Sequence, residues 1–290
     1  MRYFKSGIKI NLSLKVVGKR PDNFHLLDSI FLPIEDIYDE IGFEIKAAEE
    51  LKINFSSNLS NIAGFDGNDN LVVRAAQLYC QKANIKADIA IHLKKNIPIG
   101  GGVGGGSGNA GCILKVLNEY FKACQKEDLA EMALSLGADV PFFIYNQAAR
   151  INGIGEVITP FEVKNDLYFI LIFPNFPVST PWAFKNLSEA IKQEDKLKRN
   201  DLIINGLKSG DFDLIYNNLH NDFETILFDK YLLYSVIQKT LGDRKLSISG
   251  SGSTCFVLCR NQEEQEAVFD SLMEKFANDN ITIKKVAYKK

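Results

Sequence analysis

Ile8, Ile10, Leu12, Leu14 and Val16 alternate with Lys9, Asn11, Ser13 and Lys15, the period of two that sends successive side chains to opposite faces of a strand. The apolar set predicts a buried face; the polar set either meets solvent or lines a cleft. More strands are predicted over 26–34, 40–46 and 51–55, and Ile89, Ile91 and Leu93 restore the same period. A helix is predicted over 70–82, with Leu71, Ala75, Leu78 and Tyr79 on one side. Ala110, Ile113, Leu114, Leu117 and Phe121 mark a second. A third covers 127–136 and stops at Gly137, read as a left-handed cap. The run 167–173 reads as a buried strand ended by Pro174, and Thr180-Pro181 as an N-cap followed by proline at the first helical position. Strand, strand, helix and strand follow over 246–248, 254–258, 262–276 and 281–286. Helices mixed with strands of largely antiparallel character predict an α+β fold, with a domain boundary in 155–164.

Composition narrows the class. The 290 residues are 46% hydrophobic and 24% charged, enough for one large or two medium domains. The formal charge is −2 with both signs well mixed. No basic stripe points to a nucleic-acid partner and no charged tail to a membrane surface. No apolar run approaches the roughly 20 residues of a membrane span, and no signal-peptide core follows the basic N-terminus, so the expected location is the cytoplasm. The five cysteines, Cys80, Cys112, Cys124, Cys255 and Cys259, include no CxxC pair. They form neither a disulfide framework nor a zinc site, and three of them sit in apolar helix or strand patterns that suit a reduced, buried thiol.

The chemistry concentrates in Pro98-Ile99-Gly100-Gly101-Gly102-Val103-Gly104-Gly105-Gly106-Ser107-Gly108-Asn109. Glycines reach positive φ and let backbone approach a ligand closely. A helix directly behind them turns its free N–H groups and positive dipole end toward the loop, which makes a phosphate site. The alternative is a flexible linker, but linkers rarely stand between a strand and a strong helix. No Gly-Lys-Ser/Thr occurs anywhere in the chain, which excludes a Walker A loop. The dinucleotide fingerprint fails at Ser107, where its third glycine belongs.

Asp139 stands in a turn, Leu136-Gly137-Ala138-Asp139-Val140-Pro141. Alone it reads as a capping acceptor, and Lys9 as a solvated strand residue. Beside a phosphate loop they suggest more. Phosphoryl transfer needs positioned phosphates, charge neutralisation and an acceptor hydroxyl aimed in line, often by an aspartate. A neighbouring lysine keeps that aspartate ionised and stabilises charge on the transferred group.

The loop, the early Lys9-Ile10-Asn11 and the late Ser249-Gly250-Ser251-Gly252-Ser253-Thr254 follow one another in the order and spacing of the three motifs of the GHMP kinases, which this chain resembles. The likeness extends over Gly18 to Leu27, Asp69 to Ala76, Leu136 to Phe142, Pro177 to Thr180, Asn221 to Glu224 and Gly250 to Gly252. It is greatest to members whose acceptor carries a cytidine diphosphate. The resemblance implies a two-domain enzyme, its N-terminal ATP-binding domain over 1–157 like ribosomal protein S5 domain 2, its C-terminal substrate-side domain over 158–290 ferredoxin-like. It implies transfer of the γ-phosphoryl of ATP to the 2-hydroxyl of a cytidine-diphosphate-linked methylerythritol, a step of non-mevalonate isoprenoid synthesis, with Mg²⁺ accompanying the nucleotide. Position by position, it makes Lys9 and Asp139 the catalytic pair. It gives the triphosphate to the loop from Pro98 to Gly108, the adenine to Asn70 and Lys95, and the cytidine-bearing acceptor to Asn11, Phe24, His25, Thr180 and Phe184. Aromatic rings suit a cytosine, and a histidine can read its edge.

Two positions depart from the family pattern. Phe24 stands where a tyrosine is usual, which keeps stacking but removes a hydroxyl, and Gly108 replaces a usual serine. His92 and His220 read as structural, and Trp182 either as core or as a flank of the pocket containing Phe184. The 249–254 run is either a plain hairpin turn or a segment packed by the phosphate loop or substrate.

Overall fold

The computed structural model describes residues 1–187 and 195–290. Its contacts group into two compact units, each drawn from several stretches of chain.

The first unit comprises Met1–Ile8, Ile37–Pro98 and Gly104–Asn146. It takes the start of β1 (Arg2–Lys19) and the end of β2 (His25–Ala47), followed by β3 (Lys52–Ser57), α1 (Leu71–Lys82) and β4 (Ala87–Lys94). Helices α2 (Gly105–Phe121), α3 (Lys126–Leu136) and α4 (Val140–Tyr145) complete it. β4 runs antiparallel to β2 from Glu40↔Lys94 to Ala47↔Ala87, and parallel to β3 from Lys52↔Asp88 to Ser57↔Leu93. The alternating Ile89, Ile91 and Leu93 enter one core with Val72, Ala76 and Tyr79 of α1 and Ile113, Leu114 and Leu117 of α2. α1 starts where Asn70 Oδ1 accepts the N–H of Val72 at 2.9 Å, a standard N-cap bond.

Two expectations are corrected here. Helix α2 begins at Gly105, not near Ala110, so the second half of the glycine run is helical. Close packing explains why glycines serve there: a Cβ on Gly108 would lie 2.8 Å from Gly7 O, and one on Gly111 2.7 Å from Phe143 Cβ. Gly137 does end α3, but at φ 167° and ψ 154° it is extended and not left-handed. The chain moves straight into the turn before α4, where the N–H of Val140 donates to Gly137 O.

The second unit comprises Lys9–Asp36, Ile99–Val103 and Gln147–Lys290. Beyond the rest of β1 and β2 it holds β5 (Ala149–Gly153), β6 (Val157–Pro160), β7 (Leu167–Pro174), α5 (Thr180–Asn186), α6 (Asp195–Ser209) and α7 (Phe212–Asn218). β8 (His220–Asn221), α8 (Glu224–Lys230), α9 (Leu232–Leu241), β9 (Ser247–Ile248), β10 (Cys255–Cys259), α10 (Gln262–Phe276) and β11 (Ile281–Tyr288) follow. β5 pairs antiparallel with β2 and with β6, while β8 lies parallel to β1 through Ser13↔His220. A four-stranded antiparallel sheet has the order β11-β7-β10-β9. Phe169, Ile170, Leu171 and Ile172 of β7 are wholly buried, as expected of a central strand covered on both faces. Ile170 and Ile172 share a core with Val257 of β10, Leu272 of α10 and Ile237 of α9.

β1 is longer than its alternation suggested, and over residues 8–15 neither face meets water. Lys9, Asn11, Ser13 and Lys15 are 2%, 1%, 0% and 3% exposed, like the apolar set between them. β2 is one strand where two were expected. The N-cap of α5 is Ser179, whose Oγ accepts from the N–H of Trp182, and Thr180 is the first helical residue. All five cysteines are free thiols, and burial pushes that of Cys112 up to about 11.

Candidate active site

In the second unit, the Lys9 ammonium donates to Asn11 Oδ1 at 2.7 Å and to the carbonyl of Gly102 at 3.1 Å, and lies 4.6 Å from the centre of the Phe31 ring. Residues i and i+2 share a face of a strand, so the polar half of the β1 alternation is what brings Lys9 to Asn11. The other side of the Asn11 amide is also engaged: Nδ2 donates to Ser29 Oγ at 3.0 Å, and that hydroxyl donates to the carbonyl of Ser13. The result is a buried cation held against the glycine turn.

The turn itself packs backbone against the late serine-glycine motif. Gly102 has φ +75°, and a Cβ there would stand 2.4 Å from Ser249 O and 2.6 Å from Gly252 O. Gly250 has φ +58°, and its Cβ would be 2.5 Å from Gly102 O. The N–H of Thr254 donates to Gly101 O at 3.1 Å. Asn221 ties the motif down, since its Nδ2 donates at 2.8 Å to the carbonyls of both Ile248 and Gly250. The 249–254 run is thus the bed of the glycine turn. Val103 is buried within this arrangement and Ile99 is exposed.

The aromatic residues gather in the same unit. His25 and Phe184 stack with ring centroids 4.5 Å apart and 18° between planes, and Phe184 meets the edge of Phe223 at 5.0 Å. Burial and then the nearby charge of Lys19 lower the His25 pKa below its ordinary 6.5, so the ring is a neutral donor and acceptor at pH 7. Phe24 is 55% exposed. Thr180 Oγ1 lies 2.9 Å from Ser251 Oγ. Trp182 carries the Lys230 ammonium 4.5 Å from its ring centre.

In the first unit, Gly104 caps α2 at φ 71°, and the N–H of Gly108 is the first bonded back, to Gly104 O at 2.7 Å. The N–H groups of Gly105, Gly106 and Ser107 therefore have no acceptor within the helix and sit at its positive end, where an anion is favoured. Asn70, besides capping α1, donates from Nδ2 to Phe65 O at 2.9 Å. The Lys95 ammonium is buried 2.5 Å from Asp39 Oδ2, while Asp39 Oδ1 accepts the N–H groups of Asn96 and Ile97. Burial lowers the Lys95 pKa against the opposing pull of Asp39. A Cβ on Gly105 would come 3.1 Å from Lys95 Nζ, so this ammonium lies under the first turn of α2. Asp139 is half-buried and its carboxylate does not cap α4, which removes the plain capping explanation for an aspartate in that turn.

Lys9, Asn11, Gly102 and Ser249 are thus brought together, as are His25 with Phe184 and Thr180 with Ser251. Ser29 and Asp39 escaped the sequence reading, and Asn221 entered it only within a motif of likeness, without a role. A serine that orients an amide across 18 residues leaves no local pattern.

The family profile described as GHMP kinases N terminal domain matches residues 70–147, and the one described as GHMP kinases C terminal matches 203–278. The chain is 33% identical over 273 residues to the 4-diphosphocytidyl-2-C-methyl-D-erythritol kinase of Nitratidesulfovibrio vulgaris (strain Hildenborough), covering 92% of this chain and 93% of that protein. A solved structure of 4-(cytidine 5'-diphospho)-2C-methyl-D-erythritol kinase superposes with a TM-score of 0.77 at 26% identity, covering 99% of this chain and 100% of the other. A homoserine kinase from Cytophaga hutchinsonii reaches a TM-score of 0.76 at 19% identity, covering 100% and 96%, a likeness of fold alone. With its polar strand, glycine turn and serine-glycine bed, the chain belongs to the GHMP kinases, and among them to the 4-diphosphocytidyl-2-C-methyl-D-erythritol kinase family.

Proposed function

We propose that this chain transfers the γ-phosphoryl of ATP to the 2-hydroxyl of 4-diphosphocytidyl-2-C-methyl-D-erythritol, giving the 2-phosphate and ADP, in the cytoplasmic non-mevalonate route to isoprenoid precursors. The observation that carries it is the Lys9 ammonium held between Asn11 Oδ1 and the Gly102 carbonyl. A buried cation anchored to the glycine turn suits charge building up on a transferred phosphoryl group. Homologues across nearly the whole chain that bear this activity in their names support the choice of acceptor.

In this reading Asp139 orients the 2-hydroxyl and takes its proton as the oxygen attacks the γ-phosphorus in line. The bond from that phosphorus to the bridging oxygen breaks, and ADP leaves with the electron pair. The loop from Pro98 to Gly108 receives the triphosphate. Asn70 and Lys95 face the nucleotide from the N-terminal domain, 1–157. Asn11, Phe24, His25, Thr180 and Phe184 line the acceptor, with domain 158–290 on its side. His25 and Phe184 provide an aromatic surface and a neutral imidazole for a cytosine. No group of three or more His, Cys, Asp or Glu side chains suited to a metal ion is found among the described residues. Mg²⁺ accompanying the nucleotide would neutralise phosphate charge, and the chain's own donors act on the phosphates and the hydroxyl. No helix among the described residues is long and apolar enough to cross a membrane.

The test is ADP release by the pure protein with the cytidine-linked acceptor, compared with homoserine and mevalonate. Turnover confined to the first acceptor is expected. Preference for either simple alcohol overturns the substrate assignment, and near-wild-type turnover by Asp139→Ala overturns the role given to that carboxylate.

A further inference from the structure

Ser29 and Ser249 have no place in the chemistry just described, yet both are buried and both end on Asn11. A carbonyl oxygen only accepts, so the Ser29 hydroxyl proton is committed to the carbonyl of Ser13. Ser29 Oγ consequently turns its lone pairs to Asn11, which must present its NH₂ group there. That choice faces Asn11 Oδ1 toward the Lys9 ammonium at 2.7 Å. The reversed amide sets NH₂ against a cation and oxygen against oxygen.

Ser249 secures the opposite side of the same residue. Its Oγ accepts the backbone N–H of Asn11 at 3.3 Å and directs its one proton toward Asn11 Oδ1 and Gly102 O, each at 3.4 Å. Those two oxygens are the acceptors that hold Lys9.

We infer that Ser29 and Ser249 are positioning residues which fix the orientation of the Asn11 amide and thereby hold the Lys9 ammonium in place for transfer. The inference rests on Lys9 acting in catalysis. Removing either hydroxyl lets the amide turn and weakens the grip on the cation, while the first turn of α2 and the other acceptor-lining residues, Phe24, His25, Thr180 and Phe184, keep their side chains. The loss therefore falls on kcat and not on KM. Because the rate needs the charged form of Lys9, the alkaline limb of the kcat profile moves to lower pH.

The experiment compares Ser29→Ala, Ser249→Ala and Lys9→Met with Ser247→Ala, which deletes a buried hydroxyl lacking any hydrogen-bond partner. Ser29→Ala and Ser249→Ala are expected to lose about 10- to 100-fold in kcat, the scale of a hydrogen bond to a charged group. Both KM values stay within about twofold, the alkaline limb shifts downward, and Ser29→Thr recovers rate by restoring the hydroxyl. Ser247→Ala should match the wild type on each count. If Lys9→Met is inactive but both serine variants behave like Ser247→Ala, or lose only in KM, the positioning role is overturned while the catalytic reading stands. An active Lys9→Met overturns the reading beneath it.

Discussion

Gly102→Ala probes the joint between the glycine turn and its bed. At φ +75° an L-residue meets the left-handed penalty of about 1–2 kcal/mol. The new methyl also stands 2.4 Å from Ser249 O and 2.6 Å from Gly252 O, where ordinary contact begins at 3.4 Å. Both are backbone oxygens in a buried turn, so relief needs a movement of about 1 Å in the motif, at the 1–3 kcal/mol typical of overpacking. The two effects together predict a loss of about 2–5 kcal/mol in a urea titration. The same shift displaces the Gly102 carbonyl, one of the acceptors of Lys9, and a misplacement of about 1 Å near the chemistry lowers kcat on the order of 100-fold. Gly106→Ala is the matched comparison for stability, because its Cβ would meet only Leu71 Cδ1 at 3.8 Å. It should leave the folding free energy within about 1 kcal/mol of wild type. If Gly102→Ala is as stable as Gly106→Ala and keeps its turnover, the tight joint has no energetic weight and the reasoning fails.

Gly108→Ser, which restores the residue usual in the family, puts a Cβ 2.8 Å from Gly7 O and 3.3 Å from Phe143 Cε1; a loss of about 1–3 kcal/mol is expected by urea denaturation, and a more stable variant would refute the packing reason for glycine. Asp39→Ala strands the buried Lys95 ammonium and the N–H groups of Asn96 and Ile97, so stability should fall by about 3–5 kcal/mol; a change below about 1 kcal/mol would show that the site rearranges freely. His25 has its pKa lowered by burial and by Lys19, so its ring proton resonance should titrate with a midpoint below 6.5, and a midpoint above it contradicts the geometry. The sign for stability follows: a depressed folded pKa gives a contribution that is complete above the unfolded value of 6.5 and is lost as pH falls through the folded one. His25→Asn should therefore show a smaller fall in stability from pH 7.5 to 5.5 than the wild type, as read by thermal denaturation.

Much of this fold could be read from periodicity. The helix expected over 262–276 is α10 with those same ends, because Asn261 caps it and its apolar positions recur at helical spacing. The start of α2 was misplaced because glycine has poor helix propensity. Only the approach of Gly7 and Phe143 explains why glycines stand in its first turns. β2 was read as two strands because 35–39 mixes acidic and apolar residues, and its continuity depends on partners elsewhere in the chain. Helices α6 to α9 were not among the expected elements, although Ser209-Gly210-Asp211 and Asn221-Asp222 offer turn signals between them. In the site, Lys9, Asn11 and the glycine turn are legible because each belongs to a short local motif. Asp39 is not, as its carboxylate serves two N–H groups 57 and 58 positions away.

The closure of β1 against the serine-glycine motif also has a consequence in time. The N–H of Asn11 reaches Ser249 Oγ across 238 positions. At synthesis rates of about 5–20 residues per second, the ribosome needs roughly 10–50 s after making Asn11 to deliver its partner. Through that interval a strand bearing Lys9, Asn11, Ser13 and Lys15 lacks the serine-glycine motif that packs against Asn11 in the finished fold. Those polar side chains, which mark the finished site, also keep the waiting strand hydrated and less prone to pair with a neighbouring nascent chain. The residues that hold the reacting groups thus double as protection for the unfinished protein.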